Sequence, residues 1–261
     1  MARFFTDSSN ISGGIITLGA EDKAHIRSLR LRPNERFIVC DGEGTDYICK
    51  LAEPYADSSN DEAKSLGGKE SRSAAAYAEI VETHPSSGEP SVVCTVFIAF
   101  AKGERLEYAI QKSIELGARD IMLFPSERCV SIPGDMNKKA IRLQKIALET
   151  AKQCGRGIVP QVQVLDSLKE ALDMAVRSDL ALFPYECEEE FGLKQAMGKW
   201  GEDMKSVSIV TGPEGGFEPH EADLAKEIGM ARVTLGKRIL RCETAPVAVL
   251  SAVMFHTGNL G

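Results

Sequence analysis

The sequence predicts an α/β protein in two parts: a mainly parallel sheet with helices on both faces from about residue 89 onward, and a small β-rich domain before it. Three observations carry that expectation. After Pro90, apolar runs of strand length alternate with stretches of helical periodicity. The first eighty or so residues hold short β-branched runs and tight turns in place of long helices. Between the two, His84 to Pro90 has the composition of a linker, so residues 1–88 and 89–261 are read as separate domains.

Taken in order, Arg36 to Cys40 is a strand running into the turn Asp41-Gly42-Glu43-Gly44, with Thr45 to Leu51 as its hairpin partner. Residues 56–73 are Ser, Gly, Asp, Glu and Lys with almost nothing apolar, which predicts a polar loop. Ala74 to Thr83 resumes as a strand. Val92 to Ala99 is an apolar strand, and Glu104 to Leu116 is a helix with Leu106, Ile110 and Ile114 on one face, stopped by Gly117. Asp120 to Phe124 is the next strand. A long helix from about Asn137 to Cys154 buries Leu143, Ala147 and Ala151 and ends at Gly155. Ser167 to Glu170 forms a capping box that opens another helix, to about Arg177. Leu180 to Phe183 is a strand ending at Pro184.

The last quarter is the most informative. Ser206 to Val210 is a strand that runs into Thr211-Gly212-Pro213-Glu214-Gly215-Gly216, a rigid turn whose amides can approach a ligand closely. A helix opens at Glu218-Pro219-His220-Glu221 and closes at Gly229. The strand Ala231 to Leu235 ends in Gly236 and gives way to the charged run 237–245. The helix after it, Pro246 to about His256, has no polar face and is predicted to be buried all round.

Composition narrows the function classes. At 261 residues, 43% hydrophobic and 26% charged, the chain is ordinary for a globular protein, and no apolar run approaches a membrane span. The start, MARFFTDSSN, lacks the charged and apolar regions of a signal peptide, which makes the cytosol the expected compartment. Seven cysteines, odd in number and never in C-x-x-C spacing, predict reduced thiols, with neither a zinc site nor a disulfide frame. The net charge of −7 argues against nucleic acid by its sum alone. Charge distribution matters more: Lys23, Arg27, Arg30, Arg32 and Arg36 cluster against the single acid Glu35, either as a solvated run or as one RNA-facing patch. No G-x-x-x-x-G-K-[ST] and no strand-borne G-x-G-x-x-G occurs, which disfavours P-loop hydrolysis and Rossmann dinucleotide or methyltransferase sites.

A glycine-rich loop taken alone reads first as a structural turn. The pairing is more specific, because two strand-end loops, one packed with charge, lie where α/β proteins bind ligands. GPEGGF at 212–217, LG at 235–236 and ILRCETA at 239–245, before an apolar C-terminal helix, together resemble the RsmE-type 16S ribosomal RNA (uracil-N3) methyltransferases of the trefoil-knotted SPOUT class. Lys102 to Gly117, Ser126 to Cys129 and Gln153 to Pro160 fit the same family, so the resemblance covers nearly all of 91–261. At the N-terminus it is thinner: Arg3-Phe4-Phe5, the HIRSLRLRPNERF run and the DG turn fit, while the polar insertion does not.

The resemblance implies a C-terminal SPOUT α/β domain with a deep trefoil knot, a small N-terminal PUA-like β-barrel that contacts RNA, and a homodimer. It implies S-adenosyl-L-methionine as cofactor, a uridine of 16S ribosomal RNA (uracil-1498) or the small ribosomal subunit as substrate, and neither a metal nor a membrane. The cofactor would be held by Leu182, Pro184, Thr211, Gly212, Glu214, Gly215, Gly216, Leu235, Gly236, Ile239, Leu240, Thr244 and Ala245; core packing is an equally open role for the apolar members. RNA contacts would come from Arg3, Arg27, Arg30, Arg32, Lys102, Lys112 and Arg128. For Arg156, between two glycines, helix capping and RNA contact stand level.

Methyl transfer from a sulfonium needs mainly alignment, which is worth roughly 7–11 kcal/mol. The acceptor is harder, since uracil N3 carries a proton that must leave before the nitrogen can attack. A base or a cation answers this. Arg241 is the expected cation, permanently charged and able to fork onto two acceptors. Glu243 is a candidate base, with a carboxylate paired to Arg241 as the alternative; His25 and His220 are expected at the surface. The rival readings are another knotted methyltransferase, acting on a ribose hydroxyl or a transfer RNA base, and a non-catalytic RNA-binding assembly factor.

Overall fold

The computed structural model describes residues 1–32, 34–52, 76–198 and 204–261. The polar loop expected over 56–73 lies outside them. By its contacts the chain divides into two units, Met1–Glu89 with Gly155–Ile158, and Pro90–Cys154 with Val159–Gly261.

In the first unit six strands form one sheet in the order β1-β4-β5-β6-β3-β2. They are β1 (Arg3–Phe5), β2 (Ile11–Ser12), β3 (Ile15–Leu18), β4 (Phe37–Cys40), β5 (Thr45–Leu51) and β6 (Ala76–Pro85). All pairings are antiparallel except β1 with β4. Alternation along the strands puts Phe4, Ile16, Leu18, Phe37, Val39, Cys49, Leu51, Ala76 and Ala78 into one core. The Phe4 ring packs edge-on to Phe37 at 5.5 Å.

This unit also holds a helix that the sequence did not announce, α1 (Ala20–Leu29). Only Ile26 of it is buried, so it carries no helical stripe of apolar residues, and its charges read as a basic run. Arg30 ends it in the left-handed conformation, at φ 54°. The supposed linker is structured as well: β6 runs on to Pro85, and Ser86 donates its amide to the Gly44 carbonyl.

In the second unit the sheet is wholly parallel, in the order β12-β10-β11-β7-β8-β9. Its strands are β7 (Val93–Ala99), β8 (Asp120–Phe124), β9 (Gln161–Val164), β10 (Leu180–Pro184), β11 (Ser206–Thr211) and β12 (Ala231–Val233). The helices are α2 (Glu104–Glu115), α3 (Met136–Cys154), α4 (Leu168–Ala175), α5 (Leu193–Gly198), α6 (Pro219–Ile228) and α7 (Thr244–His256). Strand alternation builds two cores. Val96, Ile98, Ile121, Leu123, Leu182, Val207 and Ile209 face α2, α3, α5 and α7, while Phe97, Ala99, Phe124, Phe183 and Val210 face α4 and α6.

Helix ends follow local chemistry. In α4 the Ser167 hydroxyl accepts from the Glu170 amide at 3.2 Å, and in α6 Glu218 and Glu221 form the reciprocal box ahead of a Gly229 stop at φ 108°. Two expectations are corrected. Strand β12 stops at Val233, because Thr234 turns away to donate its amide to the Phe191 carbonyl. Helix α7 is not buried all round: Pro246, Val249, Leu250, Val253 and Met254 enter the core, but Phe255 is 73% exposed and Val247, Ala248, Ser251 and Ala252 are only half-buried. Within this chain, a helix on one face of a sheet has cover on one side only.

Strand order positions the site. After β9 at one edge the chain returns to β10, leaves a place that β11 fills, and then passes to the far side of β10 for β12. The carboxyl ends of β10, β11 and β12 are therefore neighbours, although the strands are separated in sequence. Crevices at such order reversals are where parallel sheets accept ligands.

Candidate active site

Three strand-end loops, joined by the first turn of α2, enclose a cavity of about 960 Å³. The loop after β10 brings Pro184, Tyr185, Glu186, Glu188 and Glu189; that after β11 brings residues 211–217; that after β12 brings residues 234–243, with Ala245 from α7. From α2 comes Arg105. The volume lies in the range of small-molecule and cofactor sites.

The loop after β11 owes its shape to its glycines and to what grips it. Gly216 has φ 69° and donates to the Pro213 carbonyl at 3.0 Å, and a Cβ added there would collide with the Glu186 carboxylate. A Cβ at Gly215 would lie 2.9 Å from Cβ of Arg128. Phe217 stacks on Phe183 of β10, centroids 4.4 Å apart, which ties the loop to the neighbouring strand. Arg128 grips it from outside: Nε and Nη2 donate to Glu218 at 2.7 and 2.9 Å, and Nη1 donates to the Gly215 carbonyl at 3.0 Å. Glu214 braces the inside, its Oε1 accepting from the Lys102 amide at 2.7 Å and from Arg105 Nη1 at 3.3 Å.

At the other side of the cavity the Arg241 carbonyl accepts from the amides of Thr244 and Ala245, at 2.8 and 3.0 Å, and so starts α7. Its guanidinium is exposed. Burial pushes the Glu243 carboxyl up, but its own amide, the Cys242 thiol and the charges of Arg105 and Arg241 outweigh that and leave it below the usual carboxylate range. The shift makes Glu243 a weaker base than an ordinary carboxylate. Cys242, whose Sγ donates to Glu243 Oε2 at 3.3 Å, is pushed up to about 12 by burial and then by Glu243 and Glu214. It stays a neutral thiol, without nucleophilic character.

Of the residues expected to hold a cofactor, Pro184, Thr211, Gly212, Glu214, Gly215, Gly216, Leu235, Gly236, Ile239, Leu240 and Ala245 line the cavity, as do Arg241 and Glu243. Leu182 does not: it is fully buried in the core between sheet and helices, one turn of the pleat too deep. Thr244 is exposed at the head of α7, outside the cavity wall. Sequence reasoning missed Arg105, Tyr185, Glu186, Glu188, Glu189, Phe217, Thr234 and Cys242. The acid run 186–190 was visible only as opposing charge. Arg105 was hidden in a helix read for its apolar stripe.

Arg3, expected to contact RNA, and Arg156, left level between helix capping and RNA contact, are both largely buried and paired. Arg3 donates to both carboxylate oxygens of Asp46, at 2.9 and 2.6 Å, with its side chain 13% exposed. Arg156 is 3% exposed and bound to Glu89 at 2.6 Å. Glu89 also accepts from the Gly157 and Ile158 amides at 2.8 and 3.0 Å. Burial raises the Glu89 carboxyl, yet Arg156 and these amides outweigh it and hold it below the usual range. Arg128 is spent on the loop as described, and Lys112 pairs with Glu115 at 2.7 Å. Arg27, Arg30, Arg32 and Lys102 are exposed. Among the described residues no group of three or more His, Cys, Asp or Glu could hold a metal ion, and no helix is long and apolar enough to cross a membrane.

Comparison with known proteins agrees with this geometry. An RNA methyltransferase domain model matches residues 88–254, and an RNA methyltransferase PUA domain model matches residues 18–57. The chain is 30% identical over 247 residues to ribosomal RNA small subunit methyltransferase E of Bacillus subtilis (strain 168), covering 92% of this chain and 90% of that protein. Its counterpart in Mesomycoplasma hyopneumoniae (strain 232) is 29% identical over 253 residues, covering 96% and 98%. The crystal structure of ribosomal RNA small subunit methyltransferase E from Neisseria gonorrhoeae, bound to S-adenosyl methionine, superposes with a TM-score of 0.78 at 31% identity, over 98% of this chain and 97% of that one. A methyltransferase structure from Legionella pneumophila in complex with the same cofactor gives 0.74 at 25% identity, over 98% and 97%. The chain belongs to the RNA methyltransferase family, and within it to the ribosomal RNA small subunit methyltransferase E group.

Proposed function

We propose that this protein transfers a methyl group from S-adenosylmethionine to N3 of a uridine in the RNA of the small ribosomal subunit. The observation that carries the reading is the cavity closed by three strand-end loops, tight with glycine on one side and set with arginines on the other. The residues fit the cofactor. Gly212, Gly215 and Gly216 let backbone approach it, Phe217, Leu235, Leu240 and Ala245 offer apolar walls, and the acids Glu186 and Glu189 favour its positive charges. When bound, it supplies a methyl group on a cationic sulfur. Arg241 then stabilises the acceptor anion, and Glu243, held as an anion, steadies Arg241 in place of acting as base.

The knot belongs to this proposal: insertion of β11 between β10 and β7, with α7 packed beneath, supports a chain threaded through its own loops. A homodimer is proposed as well, the half-covered face of α7 being supporting evidence, and the exposed arginines of α1 and its C-terminal flank are proposed to hold RNA. Work on ribosomal RNA makes the cytosol the compartment of this reading. Mass spectrometry of nucleosides from small-subunit RNA, before and after incubation with enzyme and cofactor, tests it. Appearance of 3-methyluridine is expected; a 2'-O-methylated nucleoside or none would overturn it.

A further inference from the structure

Uracil poses a geometric problem for a single arginine. When N3 loses its proton, the negative charge spreads onto the two carbonyl oxygens that flank the nitrogen. The N3 lone pair lies in the ring plane between them. A guanidinium forked across both oxygens would therefore cover the atom that must attack, so each oxygen needs its own donor, from opposite sides.

The cavity offers a second cation that the reading above leaves unused. Two arginines stand beside the loop after β11, in different states. Arg128 is locked, its donors on Glu218 and the Gly215 carbonyl at 2.7–3.0 Å. Arg105 makes one longer contact, Nη1 to Glu214 Oε1 at 3.3 Å, and its side chain is 45% exposed where it lines the cavity. A guanidinium has five N–H donors, so most of this one is uncommitted among the described residues. Glu214 is firmly placed: its side chain is 16% exposed, Oε1 also holds the Lys102 amide at 2.7 Å, and Oε2 is buried without a partner among the described residues. The charge of Arg105 reaches Cys242 and Glu243, the neighbours of Arg241.

We propose that Arg105, oriented by Glu214, is a second catalytic cation that binds one carbonyl oxygen of the deprotonated uracil while Arg241 binds the other; this rests on the uracil-N3 reading above. The N3 proton passes to solvent, the N3 electron pair forms the bond to the methyl carbon, and the methyl–sulfur bond breaks with its pair left on sulfur, which becomes a neutral thioether. Arg105 acts on the first of these changes, by lowering the pH at which bound uracil ionises. Glu214 is a positioning residue.

The test uses the full-length wild type with Arg105→Met, Arg105→Lys, Glu214→Gln and the Met/Gln double variant, on small-subunit RNA, with calorimetry of S-adenosylmethionine alongside. Arg105→Met is expected to lower kcat about 100-fold at neutral pH and to move the rise of kcat with pH about two units alkaline, with cofactor affinity kept within about threefold. Arg105→Lys, which keeps charge without the planar fork, is expected to recover about tenfold of that loss. Glu214→Gln should lower kcat in the wild type and add nothing in Arg105→Met, as expected of two residues acting as one unit. Unchanged turnover, or a fall in kcat with an unmoved pH profile, would overturn the proposal. A loss confined to cofactor affinity would assign Arg105 to the cofactor carboxylate, and a loss confined to KM for RNA would assign it to a phosphate; either overturns it too. If wild type itself yields no 3-methyluridine, the uracil-N3 reading fails first, which is a separate outcome.

Discussion

Replacing Arg156 by alanine separates a structural role from an RNA-binding one. The guanidinium is 3% exposed, its Nη2 lies 2.6 Å from Glu89, and its Nε is shared between both carboxylate oxygens at 3.1 Å. Glu89 is 16% exposed and keeps two backbone donors, the Gly157 and Ile158 amides. Breaking a buried ion pair from one side costs about 3–5 kcal/mol, because the survivor stays buried without its countercharge. For Arg156→Ala the lower end applies, about 3 kcal/mol, since Glu89 retains those amides and some water. Glu89→Ala strands a more deeply buried cation and removes the acceptor for Gly157 and Ile158, so its cost is nearer 5 kcal/mol. Native-state hydrogen exchange reads this locally: the Gly157, Ile158 and Gly44 amides should lose about 100-fold or more of their protection in both variants. RNA affinity of the folded protein should fall less than twofold, with an unchanged salt slope. If Arg156→Ala left protection intact and reduced the slope by about one charge, the buried pair would be a misassignment and the arginine a phosphate contact.

Three further outcomes follow from the same geometry. Gly215→Val should abolish S-adenosylmethionine binding in calorimetry while the protein stays folded by circular dichroism, because a Cβ there drives into Arg128 and displaces the loop; retained affinity would remove that loop from the site. Arg241→Ala should lower kcat about 100-fold or more with cofactor affinity unchanged, and full turnover would end its assignment. The Glu89 carboxyl, held below its ordinary value, contributes stability that is complete above the unfolded value of about 4.3 and is lost as pH falls through the depressed folded value. Urea midpoints of wild type should therefore fall below pH 4 by more than those of Glu89→Gln, and equal acid sensitivity would refute the linkage.

The sequence alone specifies the alternation of strands and helices after Pro90, because apolar periodicity and glycine stops are local signals. It also singled out the loops at 211–216 and 235–245, where glycine spacing and a charged run between apolar segments leave few other uses. Which residues those loops present depends on how the chain packs. Leu182 and Phe183 are consecutive on β10 yet enter opposite cores, and neither reaches the cavity wall that Tyr185 and Glu186 form two residues on. Arg105 belongs to the site because α2 begins beside a loop more than a hundred residues away, a proximity set by β11 lying next to β7. The burial of Arg3 and Arg156 was illegible for the matching reason. Charge is written in the sequence, but the carboxylates that neutralise these arginines, Asp46 and Glu89, lie 43 and 67 residues away and meet them only once the chain has folded.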